Sequence, residues 1–278
     1  MRGNLLRGAA IAAIALLSAC GAPTRATADA MTPDISSVTA ADWERLAARR
    51  LFFAHQSVGG NIMDGVQQVL RAHPAIPLRI IEVRDSTDFS RPGLYHKRVG
   101  VNGKPATKVA EFESIATKAF ADSQAQGVAM LKFCYADMKP ATDPVALFAE
   151  YQRAVDSLRA ARPGVVIVHV TMPLWVDTGI IDHIGTRILG KATPVRVLNA
   201  ARQTYNELLR QAFRGKEPFF DIATLESMRA DGTIEDARYA GARIPSLARE
   251  STTDGGHLTP EAGRRIAEAF LLTLAKLP

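Results

Sequence analysis

The chain has 278 residues, 47% of them hydrophobic and 22% charged, and these ordinary globular proportions exclude wholesale disorder and collagen-like repeats. Two cysteines are too few for a disulfide scaffold, so the fold must rest on a hydrophobic core, which a chain of this length can bury. The 34 basic and 28 acidic residues give a formal net charge of +6, and they are scattered instead of forming a basic block. This distribution argues against nucleic acid as a partner.

The first 19 residues have the organisation of an export signal peptide. Two arginines near the start, no acidic residue and a short apolar run at 8–17 match that pattern, and the run is too short to span a bilayer. Leu-Ser-Ala-Cys follows at residues 17–20, and this motif resembles the lipobox of bacterial lipoproteins. The resemblance implies cleavage before Cys20 and a lipid on that residue, which anchors the protein in the cell envelope. In the sorting pattern of those lipoproteins, a residue other than aspartate after the cysteine, here Gly21, implies the outer membrane, facing the periplasm. The alternative is an ordinary secretory signal with an incidental cysteine.

A tether and one domain are predicted after the signal peptide. Residues 20–37 are rich in alanine, threonine, proline and serine, a composition typical of a linker between a lipid anchor and a domain. The domain then spans residues 38–278. With Cys20 lipidated, Cys134 is the one remaining thiol of the exported chain, so no internal disulfide is expected.

Strand and helix patterns alternate along the first half of the domain. Thr39 predicts a capped first helix, and the apolar run 51–54 predicts a strand. Apolar residues between 62 and 70 recur on one helical face, so this segment predicts a second helix that begins near its first residue. A second strand at 78–83 and a helix at 107–124 follow.

The second half of the domain continues this alternation. Strands are predicted at three apolar segments: 128–133, 165–170 and 218–222. Helices are predicted at 143–161, at 195–214 and after Thr259, where the inner face holds Ile266, Phe270 and Leu274. Five short strands separated by helices predict an α/β fold, a three-layer αβα arrangement around a parallel sheet. Active sites in such sheets lie at the carboxyl ends of the strands, so residues just after each strand are the candidates.

The first candidate site residue is Ser57, in the turn that links the strand at 51–54 to the following helix. Glycines follow it, and a serine there lies at the positive end of a helix, where backbone N–H groups can face a developing oxyanion. Ser57 is therefore a candidate nucleophile. Serines also cap helices, so a purely structural N-cap is the alternative.

The second candidate is the pair Asp254 and His257, three residues apart in a glycine-containing turn just before the last helix. A hydroxyl nucleophile needs a base, and the base needs a partner that orients it. This spacing lets one short loop present both groups. The alternative is a solvent-exposed loop with an incidental histidine.

The chain resembles the SGNH, or GDSL-type, hydrolase superfamily in three features taken together. They are an early serine after the first strand, an Asp-x-x-His motif before the last helix, and five α/β units between the two. The resemblance covers roughly residues 48–275. It implies a flavodoxin-like, five-stranded parallel sheet. It also implies Ser57 as the nucleophile, His257 as general base and then general acid, and Asp254 as the carboxylate that orients the histidine.

Two sequence blocks depart from the pattern of that superfamily. The usual Gly-Asp before the serine is His55-Gln56, and the Gly-x-Asn-Asp block after the third strand falls on residues 134–137, with Ala136 in place of asparagine. An alanine side chain cannot donate a hydrogen bond to an oxyanion, and losing one such donor typically lowers the rate ~100- to 1000-fold. Either another donor replaces it or the chemistry is weak.

Four residues are candidates for oxyanion or substrate contacts. Asn61, Tyr135 or a backbone amide is expected to replace the missing donor, and Asp137 matches the aspartate that ends the family's block. The oxyanion glycine that follows the second strand in the family is assigned to Gly93, within the polar loop 85–108.

The remaining polar residues carry weaker signals. His169 lies inside the apolar strand 165–170, which predicts a hydrogen-bonded structural histidine. Asp177, Asp182 and His183 fall between the fourth strand and the next helix, in either a lid over the site or a solvated loop. No metal or cofactor is expected, because the chain has no His-Glu-x-x-His, no Cys-x-x-Cys and no phosphate-binding glycine pattern.

The sequence thus favours an exported serine ester hydrolase, anchored to a membrane through lipid on Cys20, that forms an acyl-enzyme on Ser57. The resemblance suggests a small ester or an acylated glycan as substrate. One alternative is acyl transfer, in which a sugar hydroxyl of an envelope glycan replaces water as acceptor. The other is a non-catalytic lipoprotein of the same fold that binds a glycan or an envelope partner.

Overall fold

The computed structural model describes residues 34–122, 127–179 and 194–278 of the chain. The predicted signal peptide, Cys20 and the tether up to residue 33 lie outside these ranges, as do Asp182 and His183. Within the described ranges, no helix has both the length and the apolar character needed to cross a membrane.

Helices and strands alternate along the described residues. The α-helices there are α1 (Ala40–Ala47), α2 (Val58–Ala72), α3 (Pro105–Ala119), α4 (Pro144–Ala161), α5 (Val195–Phe213), α6 (Ile222–Ser227) and α7 (Pro260–Ala275). The strands are β1 (Arg50–His55), β2 (Ile80–Glu82), β3 (Gly93–Arg98), β4 (Gly127–Leu131), β5 (Val165–Ile167), β6 (His169–Val170), β7 (Phe219–Phe220), β8 (Asp236–Tyr239) and β9 (Ala242–Pro245). The side chains of Thr39 and Thr259 cap α1 and α7, as predicted.

Five parallel strands form the central sheet, in the order β2-β3-β1-β4-β5. This confirms the predicted α/β fold with its five-stranded parallel sheet, although the strands that build it differ from the prediction. β3 lies in the segment predicted as the polar loop 85–108. That prediction was wrong because only the first half of β3 is buried, and its second half is the polar run His-Lys-Arg.

The end of the sheet beyond β5 also differs from the prediction. The strand predicted at 165–170 is interrupted at Val168, whose N–H donates to the carbonyl oxygen of Ala129 at 3.0 Å. Its second part, β6, pairs in parallel with β7, and these two strands form a separate small sheet. The predicted fifth strand is therefore present as β7 but lies outside the central sheet. The central sheet still has five strands because it includes β3, which was not predicted.

Helices cover both faces of the sheet, which confirms the three-layer arrangement. Leu51 and Phe53 of β1 pack in the hydrophobic layer that contains α1, α2 and α7. Phe52 and Ala54 point to the other face and pack in the layer that contains α3, α4 and α5. All four side chains are fully buried, which is why this strand appears in the sequence as a continuous apolar run instead of an alternating one.

Close packing of α2 against α7 positions the candidate site. A Cβ at Gly65 of α2 would lie 2.4 Å from the carbonyl oxygen of Gly263 in α7, so the two helices reach this separation only with glycine at position 65. Ser57 directly precedes α2, and the Asp254–His257 turn directly precedes α7. The helix contact therefore brings the two candidate sequence motifs to the same end of the molecule.

Candidate active site

Ser57 lies in a tight turn between β1 and α2. Its φ of +46° falls in a region that residues other than glycine rarely adopt, and such strain is concentrated at functional sites. The carboxamide of Gln56 donates to the carbonyl oxygens of Val99 and Gly100, both at 3.0 Å, and so ties this turn to the segment after β3. Ser57 occupies the N-cap position, but its hydroxyl makes no capping hydrogen bond. The alternative that the Ser57 hydroxyl serves only to cap α2 is therefore wrong.

The turn before α7 is organised by the carboxylate of Asp254. Its Oδ1 accepts the backbone N–H groups of Gly256 and His257 at 2.9 and 2.8 Å. Its Oδ2 lies 2.5 Å from Nδ1 of the His257 ring. These two N–H groups, together with the imidazole, hold the pKa of the Asp254 carboxyl far below its usual range. The carboxylate therefore remains charged and fixes the histidine through both its backbone and its ring.

Ser57 and His257 meet across the helix pair. Oγ of Ser57 lies 2.6 Å from Nε2 of His257, although the two residues are 200 positions apart in the chain. Because Nδ1 faces a carboxylate, it carries the ring proton, and Nε2 is left as the acceptor of the serine proton. The side chains of His257 and Asp254 are 46% and 52% exposed, so water reaches the site.

An aromatic wall flanks these three residues. The Tyr135 hydroxyl lies 3.5 Å from Nε2 of His257, and the Tyr135 ring makes an edge contact with Trp175 at a centroid distance of 4.7 Å. A Cβ at Gly256 would lie 2.4 Å from the Trp175 ring, so glycine lets the histidine turn pack directly on the wall. Burial raises the pKa of the Tyr135 hydroxyl, partly offset by a hydrogen bond with Ser57, so it stays a proton donor.

Buried polar residues of α5 hold this wall in place, and the sequence analysis did not identify them. Asn199 accepts the N–H of Trp175 at 3.2 Å and donates to its carbonyl oxygen at 2.8 Å. Nε of Arg202 donates to the carbonyl oxygen of Tyr135 at 3.0 Å. Both side chains are buried, three positions apart on the inward face of α5. Polar residues at helical spacing on an otherwise apolar face are the signal that could have found them.

Asp137 does not contact the solvent-exposed part of the site. It is fully buried, and its carboxylate accepts the N–H groups of Cys134 and Gly103 at 2.7 and 2.8 Å and the ammonium of Lys108 at 2.5 Å. Its assignment as an oxyanion or substrate contact was wrong, because all of these partners lie within the protein. Asp137 instead joins the loop after β3 to the loop after β4, on either side of β1.

Gly93 lies at the wrong end of the sheet for an oxyanion role. The register of β3 against β1 pairs Gly93 with Arg50, and Arg98 with His55. Gly93 is thus five residues, roughly 16 Å at the usual rise of a strand, from the end that carries Ser57. The assignment was wrong because β3 was not recognised as a strand, so the start of the strand was taken for a loop after one.

The other candidate residues lie in structural contacts. Oδ1 of Asn61 accepts the N–H of Leu258 at 3.3 Å and so anchors the histidine turn to α2. His169 is buried between the Tyr151 hydroxyl and the Glu217 carboxylate, which confirms it as a hydrogen-bonded structural residue. Asp177 forms an ion pair with a buried arginine of α5 at 2.7 Å. No group of three or more metal-binding side chains occurs among the residues described.

Comparison with known proteins identifies the fold. No family model matches the chain, and no curated protein matches it. Among solved structures, a peptidoglycan O-acetylesterase aligns with a TM-score of 0.52 and 11% identity, over 88% of this chain and 96% of that one. A member of the lipolytic protein G-D-S-L family from Veillonella parvula aligns with a TM-score of 0.50 and 14% identity, over 82% and 99%. The chain therefore has the fold of the SGNH, or GDSL-type, hydrolases, as the resemblance implied.

Proposed function

We propose that the protein is a serine ester hydrolase that works through an acyl-enzyme. The observation that carries the proposal is the unbroken hydrogen-bond chain from Ser57 through His257 to Asp254. The test is exposure of the purified protein to a fluorophosphonate, followed by mass spectrometry of the peptide that contains Ser57. One adduct on that peptide supports the proposal. An unreactive protein overturns it in favour of the non-catalytic binder.

The proposed reaction has two halves, acylation of Ser57 and hydrolysis of the acyl-enzyme, and Ser57, His257 and Asp254 act in both. Nε2 of His257 takes the proton from Ser57 while Oγ attacks the ester carbonyl, and the imidazolium then gives that proton to the departing alkoxide. The acyl group is left on Ser57. His257 next takes a proton from water, which attacks the acyl-enzyme, and the proton returns to the serine as the acid departs. Asp254 holds the ring and stabilises the imidazolium in both halves.

Water, in preference to a sugar hydroxyl, is proposed as the acceptor. Nearly half of the His257 side chain is exposed, so solvent reaches the ring that must activate the acceptor. Product analysis in the presence of a competing sugar separates the two reactions. Free acid as the sole acyl product supports hydrolysis, whereas an acylated sugar supports the transferase alternative. The shared fold with a peptidoglycan O-acetylesterase supports including O-acetylated glycans, beside small esters, among the substrates screened.

The oxyanion contacts are proposed to come from α2 and from Tyr135. The N–H groups of Gly59 and Gly60 already donate to the carbonyl oxygens of Gln56 and Ser57. The proposed backbone donors are therefore the N–H groups of Ser57 and Val58, at the positive end of α2. Ala136 supplies no side-chain donor, and Asp137 is occupied. The Tyr135 hydroxyl is protonated, lies beside both Ser57 and His257, and is the side-chain donor proposed to act on a substrate oxygen.

Replacing Tyr135 with phenylalanine is expected to lower kcat/KM about 100-fold, the usual effect of removing one oxyanion donor, while the ring keeps its packing on Trp175. The measurement compares 4-nitrophenyl acetate with ethyl acetate. An equal loss on both places the hydroxyl at the oxyanion, and a larger loss on ethyl acetate places it at the leaving oxygen. Tyr95→Phe is the matched control, since the bonds of that hydroxyl to other described residues go to backbone oxygens of the loop before β3. Wild-type turnover in Tyr135→Phe contradicts the assignment.

We also propose that the protein is exported and anchored through lipid on Cys20. Cys20→Ser is expected to move the protein from the membrane fraction to the soluble periplasmic or culture fraction, because the acyl chains supply the membrane affinity. Gly21→Asp is the matched variant. It keeps the cysteine, so it is expected to remain membrane-bound but to shift toward the inner membrane. A Cys20→Ser protein that still sediments with membranes contradicts the anchor.

A further inference from the structure

A groove of about 450 Å³ lies between α2 and the β2–β3 edge of the sheet. Gly60, Asp64 and Gln67 line it from one face of α2, and Glu82, His96 and Arg98 line it from the strands. Its volume is that of a small-ligand site. We call it the α2–β3 groove.

The groove begins beside the proposed nucleophile. Gly60 is three residues after Ser57, and Arg98 is paired with His55 at the carboxyl end of β1. The Arg98 guanidinium lies against α2, 3.0 Å from where a Cβ of Gly60 would stand. From Gly60 to Gln67 the groove follows α2 for about 10 Å at the helical rise. An ester carbonyl at Ser57 can therefore extend its alcohol part into this groove.

Three polar side chains of the groove form no hydrogen bond or salt bridge with another described residue: Asp64, Gln67 and Arg98. His96 uses Nδ1 in a 3.2 Å contact with Nε2 of the buried His55. Burial lowers the pKa of both histidines, so this pair is neutral. The wall of the groove thus presents free acceptors and free donors side by side.

The charges in the groove select against anions, because two carboxylates, Asp64 and Glu82, face a single guanidinium, that of Arg98. The guanidinium is a donor that an ammonium ligand could not use. An uncharged ligand rich in hydroxyl groups uses both kinds of group, because a hydroxyl donates to carboxylate and amide oxygens and accepts from the guanidinium. Ile80, which is partly exposed, adds an apolar surface on which the carbon face of a sugar ring can pack.

We propose that the α2–β3 groove binds uncharged sugar rings of the alcohol part of the substrate. The location rests on the proposed function, because the ester bond is taken to lie at Ser57. The substrate class is then an acylated, uncharged saccharide, with the acyl group at the triad and the sugar along α2.

The test measures sugar binding apart from catalysis. Cellobiose, maltose and N,N′-diacetylchitobiose are titrated at millimolar concentration into the isotope-labelled protein and followed by NMR. At least one is expected to shift the amide signals of α2 and β3 near the groove, in the wild type and in Ser57→Ala alike. The double variant Asp64→Ala/Gln67→Ala is expected to lose these shifts and to stay folded, because both positions are exposed on a helix. Gln68→Ala, on the same helix outside the groove, is the control.

A second readout uses the ratio of kcat/KM for mono-O-acetylated cellobiose to that for 4-nitrophenyl acetate. The double variant is expected to lower this ratio about tenfold relative to the control, a change typical of losing hydrogen bonds to charged groups. Absence of shifts with all three sugars, or shifts that persist in the double variant, overturns the groove assignment. An inactive wild type that still binds sugar here overturns the proposed function instead.

Discussion

Ser57→Ala is expected to abolish ester hydrolysis while leaving the protein folded. The hydroxyl supplies the attacking oxygen, so without it no acyl-enzyme forms, and kcat is expected to fall about 10⁴-fold or more. Its removal has little effect on stability, because the hydroxyl makes no capping bond and the His257 side chain that it contacts is half exposed. Alanine adopts the positive φ at this position with the same strain as serine.

Two measurements on the variant decide the prediction. Thermal melting is expected to give the wild-type Tm, and mass spectrometry after fluorophosphonate treatment is expected to show no adduct. Ser90→Ala is the matched control, since Ser90 is an exposed serine bonded to Asp88 in the loop before β3. Its reactivity is expected to equal that of the wild type. A folded Ser57→Ala protein that still takes up one adduct, or still hydrolyses the best ester at the wild-type rate, means that another residue is the nucleophile.

Asp254→Asn is expected to lower kcat about 10⁴-fold without unfolding the turn before α7. The asparagine oxygen can still accept the N–H groups of Gly256 and His257, so the backbone of the turn is kept. Its amide group, however, would face Nδ1 of His257 as a donor. The ring would then carry its proton on Nε2, which faces Ser57 and could no longer accept the serine proton.

The measurement is steady-state kinetics on the best aryl ester, with circular dichroism to check folding. Asp88→Asn is the matched control, because that carboxylate accepts the same kind of backbone bond, from Ser90, with no histidine beside it. It is expected to keep full activity. Turnover of Asp254→Asn within tenfold of the wild type would mean that another acid orients the base. Asp137 and Asp221 are poor substitutes, since the first is paired with Lys108 and the second with Arg210.

Two wrong site assignments, Gly93 and Asp137, come from contacts between distant segments that local sequence does not reveal. β3 is half polar, so the periodic signal that identifies a strand is weak, and its place beside β1 depends on pairing between segments some 40 residues apart. Because β3 was not predicted, the oxyanion glycine was assigned to Gly93, which lies at the end of the sheet opposite Ser57. Asp137 was assigned by its position in a motif. Its burial depends on Lys108 and on the loop after β3, which local sequence does not reveal.

The sequence by itself determined the features that depend on neighbouring residues: helix caps, buried strands and the pairing of Asp254 with His257. Hydroxyl caps predicted α1 and α7, and unbroken apolar runs predicted the buried strands. The Asp-x-x-His spacing already contained the contact between Asp254 and His257, because a carboxylate three residues before a histidine can bind both its backbone and its ring. These features depend on residues only a few positions apart, so propensity and spacing suffice to predict them.

The tertiary structure decided which side chains from distant segments come into contact. The 2.6 Å contact of Ser57 with His257 exists because α2 and α7 pack closely at Gly65, and the Tyr135 hydroxyl reaches the pair because Arg202 and Asn199 hold the aromatic wall. The α2–β3 groove likewise depends on a strand that the sequence did not reveal. Side chains 200 residues apart come within hydrogen-bond distance only after the whole core has packed, so no local pattern encodes their geometry.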